Sequence, residues 1–458
     1  MLPTQILDRF IERCPAVVMV RATLERLLRP ERVDQIFEDA KKRQYTKQLL
    51  FSQVVAIMAS VATRTHKSVH AAYLAAKDRL GASVTALYDK LSLLELGISE
   101  ALVRETSADA ARVIDAMPAA KKEILPGFEV FYLDGNHLSS TEHRLRELRS
   151  THEGPLPGQS LALLDAQREL IVELVACEDG HVQERLMLPE LLGRIRALSI
   201  IVADRNFCTS MFLFGLALRA ALFIIRQHGS TLTWSLRGKR RRIGRIASGM
   251  VHEQGVELHF QGQTLAVRRI TLCLDKPTES GDTEIHVLTN LTAEQATAEQ
   301  VAIIYGTRWT VEGAFQTLTD VLRCEVETLG YPRAALFSFA VAVMAYNVYA
   351  VVQASLRDAH GSETIKEKLS DYHLMNDVAA TYVGMDIAVP DECWEEYRSM
   401  PVKTFAKVMT KLAQRVKLTR YPKSKRGPKK PLAKRKSGRR NHHISTARLL
   451  LKRRKKSP

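Results

Sequence analysis

The chain has 458 residues, 46% of them hydrophobic and 26% charged, the balance of a soluble globular protein able to build a core and long enough for about three domains. Its net charge of +17 is unevenly placed: 18 of the 67 Lys and Arg fall in 417–458, which holds no Asp or Glu, and the other 49 are balanced by 50 acidic residues. The basicity is therefore a tail, for which a polyanion such as DNA is the natural partner and a solubilising or targeting role the plain alternative. The six cysteines (Cys14, Cys177, Cys208, Cys273, Cys324, Cys393) are scattered without a CxxC pair. That spacing excludes a disulfide framework or structural zinc and fits a reducing cytosol. No basic-then-apolar signal segment opens the chain, so a cytosolic, nucleoid-associated protein is expected.

In chain order, residues 1–120 read as a helical domain, with apolar residues at helical spacing through Leu49, Leu50, Val54, Ile57, Met58 and Val61. His70 to Lys77, a turn at Gly81 and a second helix from Ser83 to Leu94, capped by Ser83, form a candidate helix-turn-helix, although most such helix pairs bind no DNA. From Pro126 the texture changes. Phe128 to Leu133 reads as a strand ending in Asp134; Ser160 to Leu164 and Leu170 to Cys177 read as a hairpin joined by Asp165 to Glu169. Glu184 to Leu198 has helical periodicity, Ser199 to Ala203 is a buried strand ending in Asp204, Ser210 to Ala220 is helical, and Leu222 to Ile225 is a further strand. The succession gives a mixed α/β layer design.

Residues 229–284 interrupt it with a mostly β insertion that alternates polar and apolar at Val256 to Leu265 and carries a basic loop, Arg237, Lys239, Arg240, Arg241 and Arg242. The strand Ile285 to Leu288 leads into long helices from Thr292. Ala334 to Leu356 has no charge and is long enough to span a bilayer, but it contains Ser338, Asn347, Gln353 and Ser355 and has no companion span, so it reads as a buried core helix and no membrane partner is expected. The whole divides into 1–120, a catalytic domain at 121–358, a helical region at 359–416 and a basic tail at 417–458 that is expected to be disordered without DNA.

The chemistry concentrates on carboxylates. Asp134, within Tyr132-Leu133-Asp134-Gly135-Asn136, and Asp204, within Val202-Ala203-Asp204-Arg205-Asn206, both end strands and face the ligand crevice of an α/β sheet. Two such groups and a third carboxylate are what a two-metal phosphoryl-transfer site needs; alone, strand-end aspartates commonly just cap the next helix. The third is offered by Tyr305-Gly-Thr-Arg308-Trp309-Thr-Val-Glu312. On a helix advancing about 100° per residue, Arg308 lies about 60° and Glu312 about 20° from Tyr305, so phenol, guanidinium and carboxylate share one stripe. A surface Arg308–Glu312 pair is the bland reading, but Ile303, Ile304, Trp309, Val311, Phe315 and Leu318 make this a packed helix, with Trp309 expected in the core.

This set resembles the DDE transposases of the insertion-sequence-four family, whose signature is Tyr, two residues, Arg, three residues, Glu, six residues, Lys. Tyr305, Arg308 and Glu312 match it in type and spacing, and Asp134 and Asp204 fall where the family has its other two acids. The likeness covers about 126–350. The signature's Lys falls on Thr319, and Arg323, one turn on, is the candidate replacement cation.

The resemblance implies an RNase H-like mixed sheet flanked by helices, with Asp134, Asp204 and Glu312 as catalytic residues binding two Mg²⁺, for which Mn²⁺ would substitute. It implies cleavage at transposon ends and transfer of the 3′-OH into target DNA, with the terminal inverted repeats and target DNA as partners and a homodimer on DNA. Tyr305 and Arg308 would grip phosphate, Trp234 is placed to receive a flipped base unless it is simply a packed strand residue, and Asn136, Arg205 and Asn206 would orient metal or DNA. Arg237, Lys239, Arg240, Arg241 and Arg242 would add sequence-independent phosphate contacts. An RNase H-like nuclease without strand transfer, an inactive DNA-binding relic and a basic architectural protein remain as alternatives.

Overall fold

The computed structural model describes residues 3–44, 48–120, 124–138, 145, 147–149, 154–278, 281–320, 322, 326, 329–424 and 443–454. The N-terminal part is helical: α1 (Pro3–Arg13), α2 (Pro15–Leu27), α3 (Pro30–Ala40), α4 (Phe51–Ala62), α5 (Val69–Leu80), α6 (Val84–Leu93) and α7 (Leu96–Asp115). Local chemistry sets several ends. Pro15 and Pro30 open α2 and α3, where a missing N–H costs nothing. Ser68 and Ser83 cap α5 and α6 by accepting from Ala71 N and Ala86 N, and Gly81 ends α5 in the left-handed region at φ 59°. The two helices and the turn between them thus fall where Gly81 and Ser83 place them.

The rest is built on one sheet. Its elements are β1 (Glu129–Leu138), β2 (Gly154–Leu156), β3 (Gly158–Asp165), β4 (Leu170–Cys177), α8 (Leu188–Leu192), β5 (Ser199–Ala203), α9 (Ser210–Leu218), β6 (Leu222–Arg226), β7 (Thr233–Ile246), β8 (Gly249–Phe260), β9 (Gln263–Leu274) and β10 (Glu284–Thr289). Nine strands run in the order β4-β3-β1-β5-β6-β10-β9-β8-β7. β1, β5 and β6 are parallel, β3 and β4 antiparallel beside them, and β10 to β7 continue the sheet antiparallel. This is the mixed α/β sheet expected from the sequence.

Two expectations change. The helix expected over Glu184 to Leu198 is only a 3₁₀ turn at Glu184–Leu186 and the short α8; Gly193 follows α8 directly, and Leu198 takes a left-handed φ of 61° to enter β5. The insertion is mostly β, as expected, and its β9 pairs edge to edge with β10. Its basic residues, however, are not in a loop: Arg237 to Arg242 lie within β7, which is broken by a register shift around Gly238 at φ 86°.

Helices follow: α10 (Ala298–Gly306), α11 (Thr310–Asp320), α12 (Pro332–His360), α13 (Ser362–Lys368), α14 (Asp371–Ala388), α15 (Glu395–Ser399) and α16 (Val402–Gln414). α12 is the one helix, among the described residues, long and apolar enough to cross a membrane, yet 94% of its apolar window is buried inside the fold. It packs against α2, α4, α7, α16 and strands β3 and β4. Its polar groups are satisfied there: Asn347 Oδ1 accepts from Ile171 N at 2.9 Å and its Nδ2 donates to Ile171 O at 2.8 Å. One apolar cluster joins α12 and the N-terminal helices to one sheet face, and a second lies between the other face and α8–α9.

Part of the tail expected to be disordered is folded. β11 (His443–Ser445) pairs in parallel with β2, and α17 (Thr446–Arg454) follows it, with Arg448 Nε donating to Asp179 Oδ2 at 2.6 Å. Ser445 and Thr446 are buried there, so side-chain burial and a backbone ladder hold a segment that composition alone marks as solvated.

Candidate active site

Strand lengths set the positions of the two aspartates. β1 pairs with β5 only as far as Leu133↔Ala203, but with β3 as far as Leu138↔Gly158. Asp134 is therefore inside β1 rather than at its end, opposite Ala162, and is the first residue beyond the reach of β5. Asp204 follows β5 directly and caps a 3₁₀ turn over Arg205–Phe207, its Oδ1 accepting from Asn206 N at 2.7 Å. Alternation along β1 puts Asp134 on the face of Val130 and Tyr132, the face that carries α10 and α11.

The Tyr-Arg-Glu segment is not one continuous helix. α10 gives way to a 3₁₀ turn at Thr307–Trp309 before α11 begins. Thr307 Oγ1 bonds Ile304 O at 2.7 Å and meets Tyr132 Oη at 2.7 Å, which ties the turn to β1. Arg308 is buried, with a side-chain exposure of 8%, and its guanidinium lies 3.1 Å from Glu312 Oε1 and 3.6 Å from Asp134 Oδ2. The tighter turn reverses one expectation. Trp309 is 64% exposed, and so is much of Ile303, at 53%. Trp309 is thus not core; its ring lies under the Arg308 guanidinium at 4.8 Å.

Electrostatics mark Asp134. Burial pushes its carboxyl up to about 6, with Asp204 and Glu312 adding in the same direction, while the Gly135 N–H bond and Arg308 oppose the rise. Burial also raises the Tyr305 phenol, which Arg308 partly offsets. Burial lowers the affinity of Arg308 for its proton, but Tyr305, Asp134, Glu312 and Asp204 together outweigh that and leave its pKa raised. Its Nε is buried without an acceptor among the described residues.

Does this donor set fit a divalent cation? Among the described residues no three His, Cys, Asp or Glu side chains stand close enough around one point to hold a metal. Arg308 lies between Asp134 and Glu312 instead. The donors are carboxylate oxygens, which suit a hard ion such as Mg²⁺, and the buried Asp134, whose carboxyl is pushed up by burial, is the group such an ion would relieve. The donor chemistry suits the ion, but the side chains as they stand do not surround one point, and Arg308 pairs with Asp134 and Glu312 instead.

Residues 157–348 match the transposase DDE domain family. No curated protein matches the chain. The match spans Asp204, Tyr305, Arg308 and Glu312, begins after Asp134, and covers less than half of the 458 residues.

Beyond the acids, the DDE domain match takes in most of the other candidates, and the structure separates them. Asn136 is on the same strand face as Asp134, two residues on. Arg205 is exposed, and its charge, behind the nearer Arg226, helps hold the Asp282 carboxyl down. Asn206 bonds both Asp204 and, through Nδ2 at 3.1 Å, Glu184 Oε2. Trp234 is half-buried on β7 opposite Leu258, against the second apolar cluster, with the Arg269 guanidinium 5.3 Å over its ring. Arg237 and Arg240 are paired, with Glu257 at 3.7 Å and Glu284 at 2.9 Å. Lys239, Arg241 and Arg242 are exposed and have no acidic partner among the described residues. Thr319 bonds back to Phe315 O at 3.0 Å on an exposed position of α11, and Arg323 lies outside the described residues.

Sequence reasoning passed over Glu184. It reads as part of a helix, and nothing in its spacing from Asp134 or Asp204 marks it; only the fold brings it to Asn206 and over Gly135.

Proposed function

We propose that the chain is a DNA transposase of the insertion-sequence-four type, which cleaves at transposon ends and joins the freed 3′-OH to target DNA. The observation that carries this reading is the placement of Asp134 and Glu312 about the buried Arg308, whose charge Asp204 also feels, in a chain whose residues 157–348 match the transposase DDE domain. Asp134, Asp204 and Glu312 would hold divalent cations, two Mg²⁺ by the family pattern, and such ions supply activation of the attacking oxygen and stabilisation of the leaving one. The chain's own residues do the rest. Asp134 and Asp204 fix their oxygens through the Gly135 and Asn206 N–H groups. Arg308 neutralises Asp134 and Glu312 in the fold as it stands, and its guanidinium fork would pair with phosphate. Lys239, Arg241 and Arg242 on β7 and the basic tail track the DNA backbone, and the α5–α6 helices are the candidates for reading the terminal repeats. Joining two ends requires at least two copies on DNA.

The test is nicking and joining by the full chain on DNA carrying the ends that flank its gene, with Mg²⁺ or EDTA, beside Glu312→Gln. Metal-dependent 3′-OH release and joining, both lost in the variant, are expected. Cleavage without joining would instead identify a nuclease, and tight end binding without cleavage a relic.

A further inference from the structure

We infer that a basic cleft between the α1–α2 junction and the end of α16, remote from the acids and independent of them, binds a phosphate group, from a DNA backbone or a free nucleotide. The cleft has a volume of about 430 Å³. Arg13 reaches it from the end of α1; Arg415, Lys417 and Arg420 reach it from the end of α16 and the 3₁₀ turn at Leu418–Arg420. Glu12 is the one acid lining it among the described residues. Arg420 is fixed in place, its Nη1 donating to Arg13 O at 2.7 Å and its Nη2 standing 3.6 Å from Asp377 Oδ1. Arg13, Arg415 and Lys417 are exposed and have no acidic partner among the described residues.

Four cations gathered around one concavity repel one another in the protein alone, and Glu12 and Asp377 offset only part of that charge. An anion in the cleft relieves the rest. Three of the four are arginines, whose planar forks match phosphate oxygens, and the volume is that of a pocket for a small organic ligand. A merely solvated basic surface needs neither the concavity nor cations converging on it from both sides. The cleft is also distinct from the acidic site. Tyr132 is level with Leu164 and Ile171 across the sheet, and Ile171 bonds Asn347 of α12. His360, 13 residues further along α12, meets Ala413 O at 2.9 Å, just before Arg415. At about 1.5 Å per residue the separation is about 20 Å along that helix. The sequence that follows, 425–442, adds nine Lys or Arg and no acid, which favours a long polyanion as the source of the phosphate.

Cys14, half-buried in the cleft, can report its occupancy. The experiment is labelling of the full chain by N-ethylmaleimide, an uncharged reagent, with the rate at each cysteine read by peptide mass spectrometry. Cys393, also half-buried but outside the cleft, is the internal reference. Duplex DNA at about ten times its half-saturating concentration should slow the labelling of Cys14 about tenfold and leave Cys393 unchanged. Replacing Arg13, Arg415 and Lys417 together by Gln should abolish that protection at the same multiple of the variant's own half-saturating concentration. The melting temperature should not move, since all three side chains are exposed. Inorganic pyrophosphate is the second probe. Protection by pyrophosphate as well as by DNA assigns the cleft to phosphate groups in general, and protection by DNA alone assigns it to the backbone. Cys14 labelling that neither DNA nor pyrophosphate slows overturns the inference. So does slowing that survives in the triple variant, or that Cys393 shares equally.

Discussion

Asp134 carries an electrostatic cost in the fold. A carboxyl raised from 3.8 to about 6 on folding binds more protons folded than unfolded between those values. Stability therefore falls as pH rises through that window, and the penalty is complete above about 6. Two pKa units correspond to about 3 kcal/mol, and the side chain is only 20% exposed. Asp134→Asn should thus stabilise the protein by about 2–3 kcal/mol at pH 8 in EDTA, and by little at pH 4. Melting curves at the two pH values check it, and an equal gain at both would show that the carboxyl is not strained. Arg308 is the counterpart. Removing it leaves Asp134 and Glu312 without their shared cation, so Arg308→Ala should cost about 3 kcal/mol in EDTA. Added Mg²⁺ should restore most of the stability of that variant but not DNA cleavage, since the ion replaces the charge and not the phosphate-binding fork. A variant as stable as wild type in EDTA would show that Arg308 does not neutralise the acids.

At the scale of the element, what was legible in the sequence followed from short-range rules. Gly81 and Ser83 specify the α5–α6 turn because one tolerates a left-handed φ and the other caps a helix, and the all-apolar run Ser199–Ala203 specifies β5 because both sheet faces are covered. Tyr305, Arg308 and Glu312 were legible as a pattern, but their presentation was not. A wheel at a constant 100° cannot anticipate the 3₁₀ turn at Thr307–Trp309, which turns Trp309 out and is fixed by the long-range Tyr132–Thr307 bond. Glu184 and the pairing of β11 with β2 were illegible for the same reason: both depend on partners far along the chain. Tyr132→Phe should therefore loosen this turn, with a loss of about 1 kcal/mol and faster hydrogen exchange confined to residues near Thr307. Unchanged exchange there would show that the turn is held by α10 and α11 alone. Deleting 443–458 should expose Gly154–Leu156 in the same measurement, because β11 covers β2.

For the whole molecule, the proposed hold on DNA rests on the distribution of charge. The sheet extends from β1 and β5, which position Asp134 and Asp204, through β6 and β10 to β7, so the basic strand is an outlying edge of the same sheet. Arg237 and Arg240 are engaged with Glu257 and Glu284 and would have to give up those partners to bind phosphate; Lys239, Arg241 and Arg242 have none to give up among the described residues. The three exposed cations are consequently the cheaper phosphate ligands. Each phosphate neutralised contributes about 0.9 to the slope of log affinity against log salt. Replacing Lys239, Arg241 and Arg242 together by Gln should reduce that slope by about 2–3, and should weaken binding to end-bearing and unrelated DNA by the same factor, because phosphate contacts carry no sequence information. The melting temperature should not move, since all three side chains are exposed. If the loss fell only on end-bearing DNA, β7 would be reading bases, and the division of labour between the α5–α6 helices and the sheet edge would have to be reversed.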